Sequence, residues 1–385
     1  MSETNVDIAV VGAGPVGLAA GLALLTSGYR VAVIGPSGQD SDARTSALLA
    51  GSIRFLEQIG VWPALAPSAA PLRRLRIVDA TDRLIRAPEV SFESTEIGLD
   101  AFGYNVPNKL LVSELATKIQ RSGIVRLPAT AEDVSISAKS VRIRLASGAA
   151  IKALLVVGAD GRRSPTRTAA GISVDTWHYD QAALVVNLSH MLPHDDTSTE
   201  FHTATGPFTM VPLPGRRSSL VWVGSGDETA RRAALSDDDL ARAIEARSAS
   251  ILGAITIDGR RQVFPLAGMT AHQFAAARVA LVGEAAHVFP PIGAQGLNLG
   301  YRDVSTLADL VAGPLADPGA AQRLAGFDAA RRRDVISRTA AVDALNRTLL
   351  SDLVPVQGIR GLGLFLLDRL PPLRRAIMRH GVAAG

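Results

Sequence analysis

Cysteine is absent from the 385 residues. Its absence removes disulfide frameworks, thiolate nucleophiles, Cys-ligated metal sites and every mechanism that runs on a C-x-x-C redox pair. It also makes the cytoplasm the expected compartment. Lysine is scarce: Lys109, Lys118, Lys139 and Lys152 are the only four among 40 basic residues, so the pI near 9.7 is an arginine effect. The formal charge is just +4, aromatic residues make up 4%, and no Lys/Arg stripe is interleaved with aromatics. No nucleic-acid footprint is therefore expected. Residues 8–25 are eighteen uncharged, mainly apolar residues, long enough to cross a bilayer. Gly12, Gly14, Pro15 and Gly17 interrupt that run, and acidic Glu3 and Asp7 precede it where a leader would be basic. Neither a membrane span nor a signal peptide fits. Internal repeats, low-complexity linkers and a metal-ligand constellation are missing too.

What is present suits a globular chain, 47% hydrophobic and 20% charged, with the length of two domains. Val6 to Val11 reads as a buried parallel strand, and Gly12, Gly14 and Gly17 follow with G-x-G-x-x-G spacing. An alanine-rich helix then ends at Gly28, and Arg30 to Ile34 supplies a second strand. The first glycine permits the sharp turn, the second lets backbone approach a pyrophosphate, and the third lets helix and strand pack closely. The helix N-terminus, with Pro15 in its first turn, aims unpaired N–H groups at the phosphates. The acidic residue that usually ends the second strand and holds the ribose is replaced by Gly35, with Asp40 and Asp42 the nearest substitutes.

Leu48, Leu49, Ile53, Leu56 and Ile59 carry helical spacing, with Arg44 just before them and well placed for a pyrophosphate. Residues 72–99 look extended and hairpin-like. Lys109 to Gln120 reads as a helix with Asn108 at its N-cap. Val134 to Leu145 alternates about a short turn as a hairpin does. Leu154 to Arg167 is a second buried strand running into Asp160, Gly161 and Arg162. Val279 to Gly300 is a third, running through Glu284 and the Pro291–Gly293 loop into a helix starting near Gly296, Leu297 and Asn298. Each turn alone has a bland explanation. Three glycine-rich turns at the carboxyl ends of three buried strands point to one ligand-binding sheet edge.

Residues 172–268 have a different texture, with short β-rich pieces, turn signals and one helix near Ser236 to Ser248. An inserted, mainly antiparallel sheet is expected there, with Phe208, Met210, Pro212 and Trp222 either walling a pocket or packing a core. His287 lies near the third turn as an acid–base candidate, although histidines in such places are more often structural. The chain is helical from about 325. Its tail sets Leu362 to Leu373 beside Arg360, Arg369, Arg374, Arg375 and Arg379 against Asp368 alone. That composition suits a membrane surface or partner groove, or a terminal helix docked on the chain's own core.

With these motifs in place, the chain resembles the class A FAD-dependent aromatic monooxygenases, and among them the ubiquinone-biosynthesis hydroxylases. GAGPVG, GADGRRSPTR and GEAAHVFPPIGAQGLNLGYRDV carry the likeness, with RTSAL, YNVPNKLLVSEL and the GLFLLDRLPPLRRAIMR tail. Glu284 in place of aspartate and the Gly293–Ala294 order depart from the family pattern. The resemblance implies an α/β fold with a Rossmann-like FAD-binding domain (1–75 with 100–171 and 269–345). An inserted antiparallel substrate domain (76–99 with 172–268) and a C-terminal helical segment (346–385) complete it. It implies FAD held by Gly12, Gly14, Pro15, Gly17, Arg44, Asn108, Val134, Asp160, Gly161, Arg162, Glu284, Pro291, Gly293, Gly296, Leu297 and Asn298. NAD(P)H and O2 are the implied co-substrates, acting through a flavin C4a-hydroperoxide on a phenolic ring. The implied substrate is a prenylated phenol of ubiquinone biosynthesis. Residues 360–379 are the implied contact with the inner membrane face or a biosynthetic complex. A hydroxylase of soluble aromatics and a non-catalytic flavoprotein scaffold are the competing readings.

Overall fold

The computed structural model describes residues 3–36, 44–81, 88–290, 295–313, 317–350 and 370–383. Its first layer is a six-stranded sheet in the order Ala275–Ala276, Val279–Leu281, Leu155–Gly158, Ile8–Val11, Val31–Ile34 and Val125–Leu127. All neighbours but the first pair run parallel. These strands are continuous apolar runs because helices cover the sheet. The Pro15–Thr26 helix is buried from Gly17 to Leu24, wedged between the sheet and the helices Gln295–Val311 and Asn108–Gln120. That burial on every side is why residues 8–25 imitate a membrane span. No helix among the described residues is long and apolar enough to cross a membrane.

The second layer is an eight-stranded sheet containing Arg74–Asp79, Val90–Glu93 and the strands between Val174 and Ala271, closed by the two-residue strand His287–Val288. Two of its strands, Val174–His190 and Ile255–Ala271, are 17 residues each and pair along nearly their whole length. Short sheets flank this frame, one pairing Thr45–Leu49 with Gly103–Pro107 and one holding the Ala131–Ile136/Val141–Leu145 hairpin.

Three expectations about elements need correction. Leu48 and Leu49 belong to the Thr45–Leu49 strand, and the helix begins at Ala50. Two helices, Gly226–Ala233 and Asp237–Arg247, replace the single one expected in the inserted region. The Ala321–Leu350 helix runs straight through the boundary placed at residue 345. The terminal helix Pro371–Ala383 docks on the chain itself. Met378 is buried with Val90, Phe92 and Phe102, while Arg374 bonds Glu96 at 2.6 Å and the carbonyl of Ser91 and lies 4.9 Å over the Phe92 ring. Residues 360–369 of the basic tail lie outside the described residues.

Candidate active site

Register aligns the glycine turns. Ile34, Val11, Gly158 and Leu281 stand side by side, so the segments opening at Gly35, Gly12, Ala159 and Val282 leave the sheet along one edge. The turns lean on each other. A Cβ on Gly12 would sit 2.0 Å from the Ala159 carbonyl oxygen, and one on Gly17 would sit 2.1 Å from that of Gly12. Gly14 is different: it is the N-cap of the Pro15–Thr26 helix, with no side-chain cap, and a Cβ there meets nothing within 4 Å. The backbone thus presents uncapped N–H groups to open space, which is the cradle a pyrophosphate needs.

Gly35 has a steric reason to be glycine. Its Cβ would lie 2.8 Å from the amide nitrogen of Ala13, inside the phosphate turn. A ribose-binding acid at this position is therefore excluded by the turn itself; Asp40 and Asp42 lie outside the described residues.

Asp160 is turned inward. Its carboxylate accepts from the Ser164 hydroxyl and, at 2.9 Å, from the Thr166 amide, so its side chain builds the turn before the Pro165–Ala169 helix. Gly161 is partly accessible and Arg162 exposed on the same segment. The buried Arg167 extends from that helix to the carbonyls of Ala285 at 2.8 Å and Arg162 at 2.9 Å, joining the second turn to the third. Val134 sits on the hairpin that packs against this helix.

Glu284 is exposed between buried Gly283 and Ala285, a carboxylate projecting from the third turn. Pro291 and Gly293 lie outside the described residues. Gly296 opens the Gln295–Val311 helix in open space, followed by half-buried Leu297.

Two asparagines hold the Thr45–Leu49 strand beside that helix start. Asn298 accepts from the Leu49 amide at 2.9 Å and the Ser52 hydroxyl at 2.7 Å, and donates to the Ala47 carbonyl at 2.8 Å. Asn108 accepts from the Ser46 hydroxyl at 2.7 Å, and its amide donates to the Arg44 carbonyl. Asn108 is the first helical residue, and its side chain does not cap the helix. The Arg44 guanidinium lies 5.2 Å over the Phe264 ring of the second sheet, so it sits where the two layers meet.

His287 is 1% exposed, beside Phe274 and Phe289, and its Nε2 donates to Asp303 at 2.7 Å. A group so enclosed positions other groups and does not meet reactants. Asp303, 0% exposed, also accepts from the Gly283 amide at 2.9 Å and from Arg331 Nε at 2.7 Å. Arg331 continues to Asp334, which Arg302 and Arg338 also bind. Burial pushes the Asp303 carboxyl up, but His287, Arg331 and the Gly283 amide outweigh it and hold it below the usual range. The third turn is thereby bolted to two helices.

The second sheet faces this edge with one side only. Leu75 and Ile77 pack in a cluster with Phe102, Ala50 and Met378 of the terminal helix, and Phe264 lies under Arg44. On the opposite side Phe208, Met210 and Trp222 form a core with Leu240 and Ile244 of the Asp237–Arg247 helix. These three residues are core behind the sheet, and Met210 borders a cleft of about 410 Å3 on that far side, with Arg74, Arg76 and His194. Pro212 is buried and its carbonyl accepts from Asn105 at 2.9 Å. The inward side carries Glu200, Thr209, Val211 and Val221, all partly accessible although the residues between them are buried.

A parallel sheet with glycine turns along one edge, joined to a second, mainly antiparallel sheet, is the architecture of a dinucleotide-dependent enzyme. The chain belongs to the FAD binding domain family, whose model matches residues 5–341, and it is an FAD-dependent monooxygenase. It is 36% identical to ubiquinone hydroxylase UbiL of Rhodospirillum rubrum, over 98% of this chain and 89% of the relative. It is 31% identical to 3-demethoxyubiquinol 3-hydroxylase of Escherichia coli, over 99% and 100%. The human mitochondrial ubiquinone biosynthesis monooxygenase COQ6 is 27% identical, over 98% and 92%. The fold matches p-nitrophenol 4-monooxygenase PnpA of Pseudomonas putida with a TM-score of 0.80 at 19% identity, over 98% and 97% of the two chains. PqsL of Pseudomonas aeruginosa matches with 0.79 at 24%, over 94% and 100%.

Asp303, Arg331 and Arg167 were not singled out as site residues by their motifs. For the first two a signal exists: Asp303 interrupts the apolar series Leu299, Val304, Leu307 and Val311, and Arg331 interrupts Leu324, Phe327 and Val335.

Proposed function

We propose that this chain hydroxylates the phenolic ring of a polyprenylated ubiquinone precursor, using NADPH or NADH and dioxygen. The observation that carries the reading is the convergence of the Gly12, Ala159 and Val282 segments on one edge of the parallel sheet, in a chain whose second sheet keeps Val211, Val221 and Ile77 partly accessible. The three relatives above, each named for ubiquinone hydroxylation or biosynthesis and each matched over nearly the whole chain, supply the substrate class.

FAD, when bound, supplies the electron and oxygen chemistry that the side chains lack. The residues of the chain do the rest. The Gly12–Gly17 turn receives the pyrophosphate, and Glu284 takes polar groups of the cofactor's chain. The first turn of the Gln295–Val311 helix, opening at Gly296 in free space, would offer its partial positive charge to the bound cofactor. The apolar wall keeps water from the reacting ring. Leu370, Arg375 and Arg379 are exposed on and beside the terminal helix, which we assign to a peripheral contact with the anionic membrane that holds the prenylated substrate.

Purified protein should be yellow, and a short-chain prenylphenol should stimulate NAD(P)H oxidation and gain one oxygen atom from labelled dioxygen. A colourless protein, or one that hydroxylates soluble benzoates while ignoring prenylphenols, would overturn this reading.

A further inference from the structure

Glu200 stands on the inward side of the second sheet with its own support. Its Oε1 accepts from His202 Nε2 at 2.9 Å, and its Oε2 accepts from the Thr209 hydroxyl at 3.2 Å. His202 is 5% exposed, whereas the Glu200 side chain keeps 24% of its surface accessible. Register fixes the side of the sheet on which the carboxylate lies. Glu200 pairs with Ile77, which packs with Phe102 on the side opposite the Phe208–Trp222 core, and with Thr209, whose other neighbour is Val221. Phe201, next in sequence, points into the far core. Asp79, in register with His202, the Arg217–Asp258 pair farther along the same side, and Arg44, over Phe264, are charged residues also placed on or near this side. A carboxylate held at both oxygens, with Ile77 and Val221 flanking its Thr209 partner, is over-built for surface decoration.

Resting on the phenol reading above, we infer that Glu200 is the proton acceptor for the substrate's ring hydroxyl, with His202 and Thr209 holding it in place. In this step the phenolic O–H bond breaks and its proton passes to a Glu200 oxygen. The electron pair stays on the ring oxygen and spreads to the ortho and para carbons. Those carbons become better nucleophiles toward an electrophilic oxygen, and nothing is oxidised or reduced. The same contact sets which ring edge faces the cofactor, so Glu200 also selects the site of hydroxylation.

The test uses the full-length, flavin-loaded protein and a series of 2-prenylphenols made more acidic by ring fluorination. Glu200→Gln should keep its flavin yet turn over the unsubstituted phenol about 10²-fold slower or worse. The deficit should shrink along the series, because an ionised phenol needs no acceptor. A second readout is independent of turnover: the near-ultraviolet difference band of bound phenolate, present in the wild type and lost in Glu200→Gln. Glu200→Asp, which keeps the charge but withdraws it, should fall between the two. Equal turnover and an equal phenolate band in Glu200→Gln would overturn the assignment, as would loss of flavin from both variants, which would make Glu200 a packing group. Should the wild type hydroxylate none of the series, the substrate reading fails, and the phenolate band still decides the role of Glu200.

Discussion

Replacing Asp303 by alanine removes the acceptor for three donors at once: the Gly283 amide, His287 Nε2 and Arg331 Nε. Arg331 is 3% exposed and retains only Asp334. Each buried donor left without a partner costs about 1–3 kcal/mol, and breaking a buried ion pair from one side costs about 3–5 kcal/mol. These figures describe overlapping losses, so we expect about 3–5 kcal/mol in total. Against a whole-fold stability of about 5–15 kcal/mol, that is a large share. The loss should appear first at the third glycine turn, because Gly283 is held there by the missing oxygen. Denaturant unfolding, read in parallel by tryptophan emission and flavin release, measures it. Excess FAD should recover part of the stability by mass action. A triple variant, Asp303→Leu with His287→Phe and Arg331→Met, should be more stable than the single Asp303→Ala change, because it removes the charges together. The carboxyl is held below its usual range in the fold, so its contribution is complete above the unfolded value near 4 and fades as pH falls through the folded one. The gap between wild type and Asp303→Ala should therefore close in acid. A change in stability within about 0.5 kcal/mol, or a gap that widens in acid, would refute the reasoning.

Gly14→Val should fold with a normal melting temperature and remain colourless, because the new side chain meets open space in the protein but occupies the pyrophosphate's place. Full flavin content in that variant would displace the site. Gly35→Glu should weaken FAD binding by tenfold or more, although it restores the usual ribose acid, because its Cβ collides with the Ala13 amide; tighter binding in a flavin titration would contradict this. Deleting residues 371–385 should lower the melting temperature as well as abolish sedimentation with anionic vesicles. It exposes the pocket of Met378, worth about 2–5 kcal/mol by analogy with Met→Ala changes in cores. A truncation as stable as the full chain would return the helix to a purely peripheral role.

The parallel sheet was legible because its strands are apolar runs closed by glycine turns, and register at a buried edge leaves no freedom to slip. The inserted sheet was legible as texture but not as orientation. Phe208, Met210 and Trp222 suit a pocket wall or a core equally well in sequence, and only the Asp237–Arg247 helix, which claims that side, decides that they are core. Glu200 and Thr209 belong to the same alternation read from the other side. Asp160 kept its motif position but spends its carboxylate on its own turn. Gly35 appeared as a missing acid, and the reason is a close backbone approach that no single-strand pattern reveals.

The two 17-residue strands Val174–His190 and Ile255–Ala271 have a consequence for motion. At about 3.4 Å per residue each is nearly 60 Å long, and their pairing begins beside the first layer, where Thr270 aligns with His287 just past the third glycine turn. The layers are thus spliced by a girder and not joined by a swivel. Closure of one domain over the other would have to bend this ladder, which is paired on both sides of two register shifts, between His178 and Ala182 and between Val185 and Asn187. Access for the co-substrates and the aromatic substrate is therefore expected through shifts of short segments, not through rotation of whole layers. Turnover in such an enzyme is gated at the scale of a loop, and scattering profiles of the free and substrate-bound protein should superimpose.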